Sequence, residues 1–229
     1  ISDPPYEAEA HSMQRRTLEF FAGGNADGRL GQTPGRPSAK PLDFVPITSA
    51  IRDAAAAEFA SVSRRWLLSF CQAEAVGAWR DSFVAAGAKW KRSCVWIKPN
   101  GQPQLTGDRP GMGYESIACA HADTGKSRWN AGGKHGVYTC AVDTWMTEVN
   151  YGVKREHPTQ KPIDLMIALV RDFTDPGDLI LDPFAGSGTT GVAAIRLGRR
   201  FIGWEKDPKY HAIAMKRLRA AREQLELCA

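Results

Sequence analysis

The sequence has few cysteines, and none of them lies in a pattern typical of a metal site or a disulfide framework. The five cysteines are scattered and odd in number, and no two have Cys-x-x-Cys spacing. The five histidines also lack the spacing of metal ligands. These absences argue against zinc-binding motifs and against small disulfide-stabilised secreted domains, so no metal is expected.

Long hydrophobic runs are also missing. No apolar stretch approaches the ~18 residues that a membrane-spanning helix needs. The first residues also lack the pattern of a signal peptide, in which a charged segment is followed by an apolar one. We therefore expect a soluble, cytoplasmic protein without a membrane partner. The 229 residues, 43% of them hydrophobic, can bury a sizeable core. This length predicts one domain over 1–229.

The tetrapeptide Asp3-Pro4-Pro5-Tyr6 is a rigid segment that ends in an aromatic residue. Each proline fixes its own φ and holds the preceding residue in an extended conformation, so the Asp3 carboxylate and the Pro4 carbonyl have defined directions. Two such acceptors can hold the protons of an exocyclic base amine, and Tyr6 can stack on a base that has left the duplex. A surface turn is the alternative interpretation, because aspartate and proline are both ordinary turn residues.

A strand, a glycine turn and a helix follow one another in the last quarter of the chain. Leu179 to Leu181 is apolar, Asp182 to Gly191 contains three glycines, and Val192 to Leu197 has a helical pattern. A second strand, Phe201 to Trp204, ends at Glu205, 19 residues after the first glycine of the turn. An acid at this distance can reach the ribose hydroxyls of a bound nucleoside.

The segment from Gly186 to Gly191 also fits the dinucleotide fingerprint G-x-G-x-x-G. An NAD site is less favoured, since that fold normally begins with this unit and no hydride-transfer residues are evident. A P-loop is excluded, because no Gly-Lys-Ser/Thr follows at the required spacing. Together with the Asp3 to Tyr6 segment, the turn favours a methionine-bearing nucleoside over NAD.

Four motifs occur in a characteristic order: Asp3-Pro4-Pro5-Tyr6, His157-Pro158-Thr159-Gln160-Lys161-Pro162, Phe184-Ala185-Gly186-Ser187-Gly188 and Gly203-Trp204-Glu205. With this order the chain resembles the S-adenosylmethionine-dependent DNA amino-methyltransferases of the permuted β group, in which the catalytic motif precedes the cofactor motif. The resemblance extends to about Leu218. It implies a Rossmann-like, doubly wound α/β fold with a mostly parallel sheet, an antiparallel edge and a circularly permuted motif order.

The resemblance also implies roles for particular residues. It implies a catalytic pocket formed by Asp3, Pro4, Pro5 and Tyr6. It implies an S-adenosylmethionine site formed by Asp3, Thr159, Lys161, Asp182, Phe184, Ala185, Gly186, Ser187, Gly188, Thr189 and Glu205. Glu205 would bind the ribose, and the segment with Thr159 and Lys161 would close over the methionine end.

One departure from the family concerns the start of the chain. Members usually have a strand and an acidic turn before the tetrapeptide, whereas here only Ile1 and Ser2 precede Asp3. We expect the absence of that strand to expose a sheet edge and to weaken cofactor binding.

The implied reaction is direct transfer of a methyl group to the exocyclic N6 of adenine in double-stranded DNA. In the family, a leading aspartate accompanies adenine more often and a leading serine accompanies cytosine more often. Methylation of cytosine N4, of RNA or of a protein glutamine is the alternative for an active enzyme. A catalytically silent DNA-binding relative is the alternative from another class. The Pro-Cys needed for cytosine C5 chemistry is missing.

The expected partner is double-stranded DNA. The net charge is +5, and the segment from Lys126 to Lys161 holds six Lys/Arg against three acids, interleaved with aromatic residues. Such a pattern suits phosphate contacts and base stacking, although a solvated loop has the same composition. The embedded target-recognition region is predicted over about 121–156, with DNA contacts from Lys126, Arg128, Lys134, Lys154 and Arg155. Because many relatives form dimers, a homodimer is also expected.

Two further segments carry expectations. Residues 7–46 have little periodicity and are predicted to form an irregular lid or DNA-contacting arm. Trp90 to Ala120 is predicted to contain two strands, which could form a hairpin at the sheet edge. Within it, Glu115 could orient groups of the pocket or pair with Arg109.

Overall fold

The structure is a computed structural model, and it describes residues 1–5, 45–101, 107, 110–123, 127–142 and 160–227. The tip of the catalytic tetrapeptide and nearly all of the predicted 7–46 arm lie outside these ranges. The helices and strands of the described ranges are α1 (Ser49–Val62), β1 (Trp66–Cys71), a 3₁₀ turn (Ala73–Ala75), α2 (Val76–Ala85), β2 (Lys89–Ile97), β3 (Tyr114–His121), β4 (Val137–Thr139), α3 (Ile163–Phe173), β5 (Leu179–Asp182), α4 (Thr189–Arg196), β6 (Arg200–Gly203) and α5 (Pro208–Glu226).

Local sequence signals account for several of the helix boundaries. The Thr48 side chain accepts a hydrogen bond from the Ile51 amide and caps α1. Asp207 caps α5 in the same way, ahead of a proline in the first turn. Gly87 follows α2 with a φ of +85°, as a glycine terminator does. The strand, helix and second strand predicted from Leu179 to Trp204 are present as β5, α4 and β6, and the two strands predicted within Trp90 to Ala120 are β2 and β3. β4 is an addition that three residues were too few to reveal.

The strands form two hydrogen-bonded sheets. The larger has the order β1-β3-β2-β4, and the smaller pairs β5 with β6. The β5/β6 and β2/β4 pairs are parallel, whereas β3 is antiparallel to both β1 and β2. The expected antiparallel hairpin is therefore confirmed as β2 and β3, and the antiparallel pairing of the described strands is confined to β3, which lies between β1 and β2.

Residues 1 and 2 lie between the two sheets. The amide of Ser2 donates to the carbonyl of Leu68 at 2.9 Å, and the amide of Phe70 donates to the carbonyl of Ser2 at 3.0 Å. On the other side, the main-chain nitrogen of Ile1 donates to the carbonyl of Leu181 at 3.1 Å. These bonds place Asp3 beside the carboxyl ends of β1 and β5, at the edge where ligands bind in open α/β sheets.

Helices cover both faces of this strand layer. Alternate residues of β1 point to opposite faces, so Leu68 and Phe70 join one buried cluster while Leu67 and Cys71 join another. The first cluster includes residues of α3 and α4, and the second includes residues of α1 and α2. The doubly wound α/β fold expected from the sequence is thus confirmed.

None of the helices in the described ranges combines the length and the apolar character that crossing a bilayer requires.

Candidate functional site

A cavity of about 700 Å³ opens at the carboxyl ends of β5 and β6. Five parts of the chain line it: the first residues, the segment that leads into α1, the segment that leads into α3, the turn after β5 and the turn after β6. The lining residues include Asp3, Pro4, Pro5, Val45, Pro46, Ile47, Ile51, Gln160, Lys161, Asp182, Phe184, Ala185, Gly186, Ser187, Thr189 and Glu205. The fold therefore brings the tetrapeptide and the glycine turn to one shared cavity.

The turn after β5 depends on glycine at two positions. Gly186 and Gly188 have φ values of +52° and +77°, in the region that other residues rarely adopt. A Cβ at Gly188 would also lie 3.0 Å from the Cβ of Ala214 on α5. A Cβ at Gly186 would meet nothing within 4 Å, which leaves open space beside the main chain at that residue.

Asp182 holds the base of this turn. Its side chain is buried, and one carboxylate oxygen accepts from the Ser2 hydroxyl at 3.2 Å and from the Phe184 amide at 3.1 Å. The other oxygen accepts from the Thr190 hydroxyl at 2.7 Å. Burial raises the pKa of this carboxyl, and the hydrogen bonds oppose that rise. Asp182 thus links residue 2, the turn and α4.

Glu205 closes the opposite side of the turn. One carboxylate oxygen accepts from the Gly186 amide at 2.8 Å, and the other accepts from the Asp207 amide at 2.8 Å. Each oxygen retains a lone pair for a further donor, since a carboxylate has about four acceptor positions. The side chain lines the cavity. It can therefore accept hydrogen bonds from a ligand hydroxyl while it supports the turn.

Arg217 reaches the same turn from α5. Its guanidinium donates to the Ser187 carbonyl at 2.7 Å, to the Ser187 hydroxyl at 2.8 Å and to the Thr189 hydroxyl at 3.1 Å. The Ser187 hydroxyl in turn donates to the Gln160 side chain at 3.1 Å. Sequence reasoning missed Arg217, because α5 carries many basic residues and only the packing of α5 on α4 selects this one.

The Asp3 side chain is held in place through one of its own two carboxylate oxygens. Its Oδ2 accepts from the Lys161 ammonium at 2.6 Å, whereas its buried Oδ1 has no hydrogen-bond partner among the described residues. The side chain is 23% exposed and lines the cavity. Burial raises the pKa of Asp3 to about 6, against the opposing effect of Lys161 and with a further rise due to Glu115. Asp3 therefore lines the cavity beside the turn and has one carboxylate oxygen without a hydrogen-bond partner among the described residues.

A line of alternating charges continues inward from Asp3. The Lys161 ammonium lies 3.3 Å from Glu115 Oε2, and the Lys98 ammonium pairs with the other oxygen of Glu115. These contacts fit the possibility that Glu115 orients groups of the pocket, and Arg109, the other partner considered for it, lies outside the described residues. The lysines also lie over aromatic rings, Lys161 at 4.8 Å from the centroid of Phe70 and Lys98 at 4.7 Å from that of Trp96.

The predicted site residues fall into three groups. Those brought to the cavity are Asp3, Pro4, Pro5, Lys161, Asp182, Phe184, Ala185, Gly186, Ser187, Thr189 and Glu205, and Gly188 lies in the same turn. Those outside the described residues are Tyr6, Thr159, Lys126, Lys154 and Arg155. The remaining two, Arg128 and Lys134, lie elsewhere in the fold.

Arg128 lies at the edge of the sheet opposite to the cavity. Its guanidinium is 3.4 Å from Asp175, which precedes β5, and its carbonyl accepts from the Trp66 indole at 2.6 Å at the start of β1. Lys134 pairs with Asp172 near the end of α3, at 2.7 Å, and lies 4.6 Å from the ring centroid of Tyr138. Both side chains therefore have structural partners away from Asp3.

Two solved structures illustrate the similarity in fold. The crystal structure of M1.HpyAVI in complex with SAM has a TM-score of 0.61 and 28% identity, and the match covers 75% of this chain and 84% of that one. The cytosine-N4-specific PvuII DNA methyltransferase also has a TM-score of 0.61, with coverage of 95% and 77%. Its 15% identity supports the fold alone.

Two relatives give a closer match in sequence. The type II methyltransferase M2.DpnII of Streptococcus pneumoniae is 50% identical over 84 residues, which is 35% of this chain and 31% of that protein. The type II methyltransferase M2.LlaDCHI of Lactococcus lactis subsp. cremoris is 36% identical over 145 residues, which is 58% and 52% of the two chains. The chain thus spans between about a third and a half of these relatives.

A family model also matches this chain. The model described as DNA methylase, of the N6/N4 methyltransferase type, covers residues 67–216. This range is more than half of the 229 residues and includes the glycine turn, Glu205 and Lys161. It confirms the resemblance drawn from the four motifs: the chain belongs to the N6/N4 DNA methylase family.

Proposed function

We propose that this chain is a site-specific DNA methyltransferase that transfers a methyl group from S-adenosylmethionine to the exocyclic N6 of adenine in double-stranded DNA. The observation that carries the proposal is the shared cavity. There, Asp3, whose Oδ1 has no hydrogen-bond partner among the described residues, lines the same cavity as the Gly186 turn and Glu205. An acceptor for an amine and a cradle for a nucleoside are the two parts that this reaction needs.

The residues of the turn fit S-adenosylmethionine. The open space beside Gly186 allows a ligand to approach the main chain closely, as a side chain there would not. The Glu205 carboxylate suits the ribose hydroxyls. The start of α4, with the amides around Thr189, suits the methionine carboxylate because a helix N-terminus favours an anion. When bound, this cofactor supplies an electrophilic methyl group on a sulfonium.

Asp3 would act on the other substrate. Its Oδ1 would accept a hydrogen bond from the target amine, and the Pro4 carbonyl would accept a second one. These contacts orient the nitrogen lone pair toward the methyl group and stabilise the positive charge that develops on the nitrogen. Because the carboxylate must be ionised for this purpose, the transfer rate should rise as the pH passes the Asp3 pKa of about 6.

Tyr6 and Thr159 keep the roles that the family implies for them. Tyr6 directly follows Pro5, which lines the cavity, so its ring would stack on a base extruded from the duplex. Thr159 precedes Gln160, whose side chain is hydrogen-bonded to Ser187, so it would approach the methionine end. Lys161 lines the same region, with its ammonium directed to Asp3.

DNA would approach over the mouth of the cavity. Lys126, Lys154 and Arg155 remain the proposed phosphate contacts, together with the 7–46 arm, which follows Tyr6 in the sequence. Arg128 and Lys134, with partners at Asp175 and Asp172, have the weaker claim to this role. A homodimer also remains a proposal, which sedimentation of the purified protein would test.

The preference for adenine rests on the leading aspartate of the tetrapeptide. Two measurements test the function as a whole. S-adenosylmethionine should raise the melting temperature in proportion to the logarithm of its concentration, because only the folded chain would bind it. Incubation with unmethylated bacterial DNA, digestion and nucleoside mass spectrometry should then detect N6-methyladenine. Detection of N4-methylcytosine would correct the target base, and a folded protein that neither binds the cofactor nor methylates DNA would show that the proposal is wrong.

A further inference from the structure

We infer that Glu115 is a positioning residue for methyl transfer, which acts through Lys161 to keep one oxygen of the Asp3 carboxylate free for the target amine. The inference rests on the proposed function and adds a residue to it. Neither the four motifs nor the cavity lining includes Glu115. Its effect on the reaction would be indirect, since Lys161 lies between it and Asp3.

The direction of β3 explains how Glu115 reaches the site. Glu115 is the second residue of β3, which runs antiparallel to its neighbours, so the start of β3 lies at the edge where β1 and β2 end. In the strand register it pairs with Trp96, near the end of β2. A parallel strand at this position would deliver its last residues to the site instead.

The charged groups around Glu115 are buried and alternate in sign. Lys161 and Glu115 have side chains that are 5% and 10% exposed, and that of Lys98 is 14% exposed. Buried charges are costly unless opposite charges compensate for them. In the order Lys98, Glu115, Lys161 and Asp3, each charge has an opposite neighbour. The set is neutral as a whole, which explains how two lysines can be accommodated behind one carboxylate of the cavity.

The position of Lys161 determines which oxygen of Asp3 is free. The ammonium donates to Asp3 Oδ2, and Glu115 Oε2 attracts it from the other side at 3.3 Å. The ring of Phe70 lies beneath it. Without the charge of Glu115, the ammonium could turn a second donor to Asp3 Oδ1, the oxygen that would otherwise hold the target amine. Glu115 therefore keeps Lys161 from occupying both oxygens.

The same arrangement affects the ionisation of Asp3. The charged groups that face it are Lys161, which lowers its pKa, and Glu115 and Asp182, which raise it. Removal of the Glu115 charge should therefore lower the Asp3 pKa, and removal of the Lys161 charge should raise it. A loss of packing alone would have no reason to shift the two variants in opposite directions.

The experiment measures single-turnover methylation of unmethylated bacterial DNA between pH 5 and pH 9, with Kd for S-adenosylmethionine as a second readout. In the wild type, the rate should rise with pH as Asp3 ionises (the acid limb of the pH–rate profile) and then level off at a plateau. For Glu115→Gln we expect the midpoint of the acid limb to move about one pH unit lower and the plateau rate to fall about tenfold, while the Kd for S-adenosylmethionine is unchanged. Glu115→Asp, which keeps the charge, should restore much of the rate. Glu74→Gln removes an exposed carboxylate near the end of β1 and is the matched control.

Lys161→Met gives an independent result if Glu115→Gln does not fold. Its acid limb should move to higher pH. The inference is overturned if the acid limb of Glu115→Gln has the same midpoint pH as that of the wild type, whether or not the rate falls. It is also overturned if the acid limb of Lys161→Met moves to lower pH. These outcomes leave the proposed function intact as long as the wild type methylates DNA. A wild-type protein without transfer activity overturns the proposed function and this inference together.

Discussion

Glu205 Oε2 accepts a hydrogen bond of 2.8 Å from the main-chain nitrogen of Gly186, 19 residues earlier in the chain. The bond joins the ends of two neighbouring parallel strands, β5 and β6. The acid that the sequence places after β6 thus supports the glycine turn as well as facing the cavity. A substitution of Glu205 should affect both the shape of the turn and its contacts with a nucleoside.

Glu205→Ala should mainly weaken cofactor binding. The variant loses the proposed ribose contacts and the bonds to the Gly186 and Asp207 amides, so we expect Kd for S-adenosylmethionine to rise about tenfold or more. Isothermal titration calorimetry measures this change directly. Glu205→Gln keeps an acceptor and should have a smaller effect, and an alanine variant with wild-type affinity would remove Glu205 from the site.

Asp3→Ala should abolish methyl transfer. The substitution removes the free Oδ1 acceptor that would orient the amine, while the Gly186 turn and Glu205 are untouched. We expect the transfer rate to fall at least about a hundredfold, and the Kd for S-adenosylmethionine to rise only moderately. Rapid-quench kinetics together with calorimetry separates the two quantities. Full activity in this variant would show that the catalytic assignment is wrong.

The ionisation of Asp3 should reduce the stability of the folded protein. Its pKa is about 6 in the fold against an ordinary value of 3.8, so the folded chain binds the proton more tightly and loses stability as pH rises from about 4 to about 6. Asp3→Asn should therefore raise the free energy of unfolding at pH 8 by on the order of 1–2 kcal/mol, and by less at pH 5. Urea titrations at both pH values measure the difference. A uniform effect at the two pH values would contradict the raised pKa.

Gly188→Ala should distort the turn after β5 and weaken cofactor binding, whereas Gly198→Ala, at a glycine with a similar φ, should not affect cofactor binding. At Gly188 the φ is +77° and the new methyl group would lie 3.0 Å from the Cβ of Ala214. Gly198 has a φ of +72° but open space around its Cβ, so Gly198→Ala carries the backbone strain of about 1 kcal/mol alone. We expect both variants to melt earlier and only Gly188→Ala to lose affinity for S-adenosylmethionine. Equal affinity in the two would argue against close approach of the cofactor to this turn.

Arg217→Met should weaken cofactor binding from a position on α5. The guanidinium holds Ser187 and Thr189 through three hydrogen bonds, and methionine replaces its length without its donors. We expect Kd for S-adenosylmethionine to rise several-fold and the melting temperature to fall, because a partly buried network loses its shared donor. Arg222→Met, on the same helix with an exposed side chain, provides the control.

Local patterns were sufficient for much of this fold. The apolar run from Leu179 to Leu181 predicted β5, because strands of a parallel sheet covered on both faces are continuous hydrophobic segments. Capping residues such as Gly87 and Asp207 set helix boundaries through bonds to neighbours in sequence. β4 was not predicted, since a three-residue strand is defined by its partner β2 rather than by its own composition.

The residues of the candidate site also fall into two groups, those that the sequence identified and those that only the fold revealed. The motifs pointed to Asp3, the glycine turn and Glu205 as candidates, because each motif is a short run of particular residue types, and the fold brings all three to one cavity. The sequence could not assign partners to Glu115 or Lys161, nor single out Arg217 among the basic residues of α5. Nor could it show that Arg128, which it predicted as a DNA contact, lies 3.4 Å from Asp175.

The sequence by itself determined the family and the order of the motifs, because both depend on residue types at short spacings along the chain. The tertiary structure alone decided how the charges behind Asp3 are arranged. Ion pairs such as Asp3 with Lys161, 158 residues apart, depend on strand order and strand direction, which no local pattern encodes. Because β3 runs antiparallel, its first residues rather than its last lie behind the Asp3 carboxylate.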